Sequence, residues 1–249
     1  MPTGSGSTLT QELRLPPPYT AVRLREFGDA FAHALKLAPE KGAGTLVYVG
    51  RFDLAEFALV LEPEEPLRQA RRAFYAGMAA LADALAALAE PETAINIEWP
   101  DAIYVNMGLV GGGRLAWPQG AREEAVPDWL VFGAMIRTAS MPGSEPGASP
   151  NVTALDEEGF GQAMSSQVVE SFARNFMVAL DAWRESGFGA VASSYFDYFE
   201  REQGVRREIG DNGDYLLRRM AASEVERQAL LPRLAAPAWY DAQTKSPLA

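Results

Sequence analysis

Two long apolar stripes of helical period, each preceded by a group of strand-like runs, limit the fold more than any other feature of this chain. Leu67, Ala70, Phe74, Met78, Leu81, Leu85 and Leu88 recur at steps of three and four. This predicts a helix over 66–89. A second stripe through Phe160, Met164, Val168, Phe172, Phe176, Leu180 and Trp183 predicts a helix over about 157–186. Two β-rich runs, Thr45–Gly50 and Ala55–Leu61, precede the first helix and are joined by Arg51-Phe52-Asp53. Short runs within 95–118 and the apolar segment Trp129–Thr138 separate the two helices. Parallel pairing needs a crossover between successive strands, whereas strands adjacent in sequence pair antiparallel. The expected fold class is therefore α+β: a mixed, mainly antiparallel sheet flanked by helices.

The remaining elements are shorter. Residues 26–37 suggest a helix with Phe27, Phe31 and Leu35 on one face. The stretch 139–155 is rich in Pro, Gly and Ser and reads as a loop. Phe188–Phe199 reads as helical. Beyond it the texture changes: Val205–Ile209 and Tyr215–Arg219 flank Gly-Asp-Asn-Gly-Asp, a hairpin signature. A last short helix over Glu224–Leu234 and an irregular tail after Pro237 complete the chain. The expected organisation is a core domain over 1–200 and a small C-terminal module over 201–249.

Composition removes several function classes. The chain of 249 residues has 22 basic and 33 acidic side chains, a formal net charge of −11, and no cysteine. Thiolate metal sites, disulfides and cysteine nucleophiles are excluded. The acidic balance gives no general attraction for nucleic acid or anionic lipid. No apolar run approaches the roughly 20 residues of a membrane span. The N-terminal segment lacks a basic-then-apolar signal pattern, so a soluble, cytoplasmic protein is expected. His33 stands alone in an apolar segment and reads as structural, and no metal site is expected from side-chain spacing.

The stretch from Ile95 to Pro118 is the chemically suggestive part. It places Trp99-Pro100-Asp101, a short strand with Tyr104, the triplet Gly111-Gly112-Gly113 and the single cation Arg114 close together. Glycines let the main chain approach an anion closely, and arginine binds carboxylates and phosphates through paired donors. Trp99, Tyr104 and Trp117 are candidates for the walls of an acyl or adenine pocket. Plainer readings stand beside these. The triplet can be a turn, the tryptophans can be packing residues, and Arg114 can pair with Glu98 across two strands.

This block resembles the biotin and lipoate protein ligases, in particular an uncharacterised bacterial branch of the biotin/lipoate A/B protein ligase family. In that family a Trp-Pro-Asn-Asp segment ends one strand and Lys-Leu-Ala-Gly begins a later one. The counterparts here are Trp99-Pro100-Asp101-Ala102 and Gly111-Gly112-Gly113-Arg114-Leu115-Ala116. The resemblance covers about residues 45–200. It implies a class II aminoacyl-tRNA synthetase/biotin ligase-like fold and ATP-dependent, Mg²⁺-assisted activation of a small carboxylic acid such as biotin or lipoate. Transfer of the acyl group to a lysine of a carrier domain would follow. Arg114 is then the catalytic candidate. Trp99, Asp101, Gly111, Gly112, Gly113, Leu115, Ala116 and Arg51 are the candidates for binding acid and nucleotide, with Asp101 facing Mg²⁺ or ribose. The chain departs from the pattern at four places. Arg114 replaces the family lysine, Glu98 precedes Trp-Pro, and Ala102 takes an acidic position. The basic loop expected near 40–53 is reduced to Lys41-Gly42-Ala43-Gly44 and Arg51. Two functions stay open: an acyl-adenylate-forming ligase, and a degenerate member that binds an acyl ligand, nucleotide or carrier domain without chemistry.

Overall fold

A computed structural model describes residues 12–140, 151–161, 165–220 and 224–248. Met164 and most of the expected loop over 139–155 lie outside these residues. A seven-stranded sheet runs in the order β1-β2-β3-β7-β6-β5-β4. Its strands are β1 (Thr20–Leu24), β2 (Thr45–Val49), β3 (Leu54–Leu61), β4 (Ile95–Glu98), β5 (Ala102–Val105), β6 (Gly108–Ala116) and β7 (Leu130–Arg137). Only β1 and β2 are parallel; the other neighbours are antiparallel. The fold is thus the mixed, mainly antiparallel sheet with helices that the sequence pattern predicts. β1 was not foreseen: it adds a parallel edge strand before helix α1 (Ala30–Lys41).

The back of the sheet carries the main core. Phe57, Leu59, Phe132, Ile136, Ile103 and Leu115 face α3 (Ala73–Ala86), α4 (Ser165–Ser186) and α5 (Phe188–Phe196). α3 is buried on nearly every side, because it lies between the sheet and the other two helices. The predicted 66–89 helix is interrupted. α2 (Leu67–Ala70) passes into α3 through Arg71 and Arg72, where i→i−3 bonds such as Phe74 N to Arg71 O (3.0 Å) tighten the chain. The two arginines are buried and pair with Glu123 and Glu65. The second predicted helix is described over Ser165–Ser186 and has not begun near 157, where a 3₁₀ turn runs over Leu155–Glu157.

The front of the sheet is covered by two separate pieces. α1 lies over β2, β3 and β7, with Ala30, Ala34 and Ala38 against Val47, Ala58 and Val131. Asp29 caps α1 by accepting from Ala32 N at 2.8 Å. The second front cover is the tail after Pro237, whereas the elements between α5 and that tail pack against α5 and Trp99 at the end of the main core. The hairpin of β8 (Val205–Ile209) and β9 (Tyr215–Arg219) has the predicted limits. The expected helix over 224–234 is instead β10 (Val225–Gln228) followed by α6 (Leu230–Ala235). β10 pairs antiparallel with the otherwise free edge of β9, and this hairpin ladder outweighs the helix preference of the segment itself. The tail after Pro237 is also ordered. It forms a hairpin of β11 (Tyr240–Asp241) and β12 (Ser246–Pro247) that lies on β6 and β7.

Gly77 allows α3 to approach β7. A methyl group there would lie 2.4 Å from the Phe132 ring, which stacks on Phe172 at 5.5 Å. Alanine normally gains about 1 kcal/mol over glycine inside a helix. Here overpacking, which costs about 1–3 kcal/mol, outweighs that gain. Gly77→Ala should lower the midpoint of denaturant unfolding; a raised midpoint would show that the ring yields freely.

Candidate functional site

β6 places its side chains alternately on the two faces, and Arg114 falls on the front. Its guanidinium lies between two aromatic rings, 4.4 Å from the centroid of Phe31 on α1 and 4.2 Å from that of Tyr240 on β11. Arg114 therefore occupies the seam between the two covers of the front face. No ion pair to Arg114 occurs among the described residues. In particular it does not pair with Glu98, which is exposed at the end of β4.

The glycine triplet is packed against protein atoms on both sides. Gly111, with φ of 150°, lies directly against the β7 backbone, where a Cβ would be 1.9 Å from Met135 O. A Cβ on Gly112 would lie 2.6 Å from the indole nitrogen of Trp239. One on Gly113 would meet Met78 Sδ at 2.5 Å and the Phe132 ring. In this conformation the triplet is a place of close approach for the chain itself. It offers no open cradle for a phosphate.

Trp239 is fully buried over Gly112. Beside it lies Asp101, whose backbone carbonyl accepts from Gly113 N at 2.9 Å. Burial pushes the Asp101 carboxyl up to about 7, opposed by its own backbone N–H, by Arg233 and by Trp239. Among the described residues, four buried side-chain polar atoms lack a hydrogen-bond partner: Asp101 Oδ2, Arg114 Nε, Arg137 Nη1 and Trp239 Nε1. All four belong to the contact between the sheet and the C-terminal hairpin. Arg137 donates its other terminal nitrogen to Pro247 O at 3.0 Å and Leu248 O at 2.7 Å. Buried polar atoms are normally paired, so this concentration marks the front face as the polar, unsatisfied region of the molecule.

The other sequence candidates are distributed more widely. Ala116 shares the front face with Arg114, while Leu115 points into the back core. Trp99 does not join Arg114. Its indole stacks on Tyr215 at 5.5 Å and donates to Tyr75 Oη at 3.2 Å, towards the C-terminal sheet. Trp117 lies beneath Arg71, also away from the front face. Arg51 sits in the β2–β3 turn and is held by Asp53, with Nε to Oδ1 at 2.8 Å, a pairing that lowers the Asp53 carboxyl. Sequence reasoning missed three residues of this region: Glu56, Trp239 and Tyr240. Glu56 is buried in β3 and accepts from Ala30 N at 2.8 Å. Desolvation raises its pKa, and Arg51 and Arg114 oppose that rise. Its signal was a single acidic residue inside an apolar strand. A cavity of about 580 Å³ lies behind the sheet, among Leu59, Phe176, Leu180 and Trp183. It is apolar and contains none of the candidate residues.

A mainly antiparallel sheet with flanking helices is the fold of the biotin ligase catalytic domain. The chain belongs to the Biotin/lipoate A/B protein ligase family, whose model matches residues 15–197. It is similar in structure to a biotin protein ligase-like protein of unknown function from Silicibacter sp. TM1040, with 26% identity and a TM-score of 0.75 over 89% of this chain and 98% of that one. The biotin protein ligase of Aquifex aeolicus shares the fold at 14% identity and a TM-score of 0.61, over 84% and 99% of the two chains. The same enzyme in complex with biotin and ATP also matches, at 14% identity and a TM-score of 0.59, covering 84% and 98%. No curated protein sequence matches. No helix among the described residues is long and apolar enough to cross a membrane.

Asp101 makes the front face pH-sensitive. In the unfolded chain its carboxyl ionises near the ordinary 3.8; in the folded chain it does so at about 7. The folded state therefore binds the proton more tightly, and stability falls as pH rises from about 4 through 7. The full loss is on the order of 4 kcal/mol, at about 1.4 kcal/mol per pKa unit. Asp101→Asn should remove most of that slope and be more stable than wild type at pH 8 in urea unfolding. Equal slopes for the two proteins between pH 5 and 8 would show that the carboxyl is not desolvated.

Proposed function

We propose that this chain binds a small carboxylic acid on the front face of its sheet, activates it with ATP, and passes the acyl group to a lysine of a carrier domain. Biotin, lipoate and octanoate are the acids to test. The observation that carries the reading is Arg114: a guanidinium on the front face, with no ion pair among the described residues and with Nε buried and unpartnered. A carboxylate would supply the missing acceptor through a charge-assisted, two-point hydrogen bond. Acid activation joins a carboxylate oxygen to the α-phosphorus of ATP and releases pyrophosphate. Bringing two anions together needs fixed positive charge, which Arg114 supplies at the acid. Asp101 is the carboxylate that the family resemblance assigns to a ribose hydroxyl or Mg²⁺, and in this conformation it is buried beside Trp239. The described residues contain no cluster of three or more metal-binding side chains, so no step is assigned to Mg²⁺.

One observation favours a second reading, in which the acid is held without being activated. Trp239 fills the space over Gly112, so the backbone there is closed to a nucleotide phosphate in this conformation. ATP–pyrophosphate exchange measured with each acid, alongside calorimetric binding of the same acids, separates the two. Binding with exchange supports the ligase; binding without exchange supports the second reading; neither sinks both. Arg114→Ala should weaken acid binding about 10- to 150-fold, the loss of a charge-assisted hydrogen bond worth roughly 1.5–3 kcal/mol. Wild-type affinity in that variant would remove Arg114 from the site.

A further inference from the structure

We propose that the C-terminal hairpin is a working part of the acid site, with Tyr240 as a positioning residue that acts through Arg114. This inference rests on the acid-binding role of Arg114 given above. The two rings, Phe31 at 4.4 Å and Tyr240 at 4.2 Å, approach the guanidinium closely enough to clamp it. Such a clamp fixes the plane of the group and leaves its in-plane N–H donors, including the unpartnered Nε, directed to neither ring. A planar anion entering along the seam meets those donors edge-on, in the two-point geometry that carboxylates favour. The clamp also lowers the entropy that arginine loses on binding, since its rotamer is already chosen.

The hairpin is built to deliver Tyr240 to that place. Trp239, the neighbouring residue, is buried over Gly112 and fixes one end. Arg137 holds the other end through the carbonyls of Pro247 and Leu248. Leu248 N donates to Trp239 O at 2.8 Å and closes the loop. Its tip is stabilised from within: Asp241 accepts from Gln243 N at 2.8 Å and from Thr244 Oγ1 at 2.9 Å. No hydrogen bond of the Tyr240 hydroxyl occurs among the described residues, so the ring face, not the hydroxyl, is the functional surface.

The test compares Tyr240→Phe, which keeps the ring, with Tyr240→Leu, which keeps apolar bulk but not the π-face. Calorimetry with the acid that wild type binds should give Tyr240→Phe within about twofold of wild type. It should give Tyr240→Leu about three- to thirty-fold weaker, the range of a cation–π contact. A second readout needs no ligand. The Arg114 Nε–H signal in ¹⁵N spectra, assigned by its loss in Arg114→Lys, should be shifted by ring currents in wild type and Tyr240→Phe. It should move towards the ordinary arginine position in Tyr240→Leu. An unmoved signal in Tyr240→Leu overturns the clamp, and wild-type affinity in that variant overturns its role in binding. If wild type binds none of the acids, the functional reading fails, and the spectra alone then decide the clamp.

Discussion

Three successive residues without a Cβ let both layers of this protein close on one strand. β6 passes between α3 at its back and the C-terminal hairpin at its front, and either would be pushed away by a side chain at the triplet. Gly113 admits Met78 and Phe132 from behind, Gly112 admits Trp239 from the front, and Gly111 lets the strand press on β7. Interiors are packed to near-crystalline density, so a gap or clash of one methyl is felt on both sides. The orientation of Arg114 follows from this arrangement. Once Gly112 is covered by Trp239, the next front-facing residue lies beside Tyr240, and its charge is confined to the seam with α1.

The two faces of the sheet do different work. The back is an apolar core whose ordering needs no partner from outside. The front combines apolar cover with Glu56, Asp101, Arg114 and Arg137, and several of their polar atoms are left without acceptors or donors. A buried unsatisfied group costs about 1–3 kcal/mol. A protein keeps such groups where they serve a ligand or a specific conformation. The stability of the back therefore supports a front face that is less than optimal by itself.

Periodic and local signals in the sequence were the ones that could be read. The helix stripe through Phe172 and Phe176, the strand runs of β2, β3 and β7, and the Gly-Asp-Asn-Gly-Asp turn each depend on neighbours a few positions away. β10 could not be seen in this way. Val225–Gln228 is largely exposed, so it shows no apolar alternation, and only the free edge of β9 makes it a strand. The burial of Trp239 was equally hidden, because the space it fills is created by a glycine in a distant strand. Of the candidate residues, Arg114 and Asp101 do lie near each other beside the C-terminal hairpin, as their closeness in sequence suggested. Trp99 was drawn off by Tyr75 and Tyr215, partners that the motif does not contain. Phe31 and Tyr240 come from opposite ends of the chain and become neighbours only around Arg114.

The sheet order also determines how the molecule meets its own copies. A sheet of seven strands has two edges, and each exposes backbone that another chain could extend. At one edge, β4 is partly closed by Ile97 N donating to Tyr198 O at 2.9 Å. At the other, β1 is five residues long, carries Arg23 near its middle, and follows Pro16-Pro17-Pro18, which have no N–H to offer an incoming strand. The parallel strand added before α1 thus acts as a terminator for the sheet, and guards the protein against edge-to-edge aggregation.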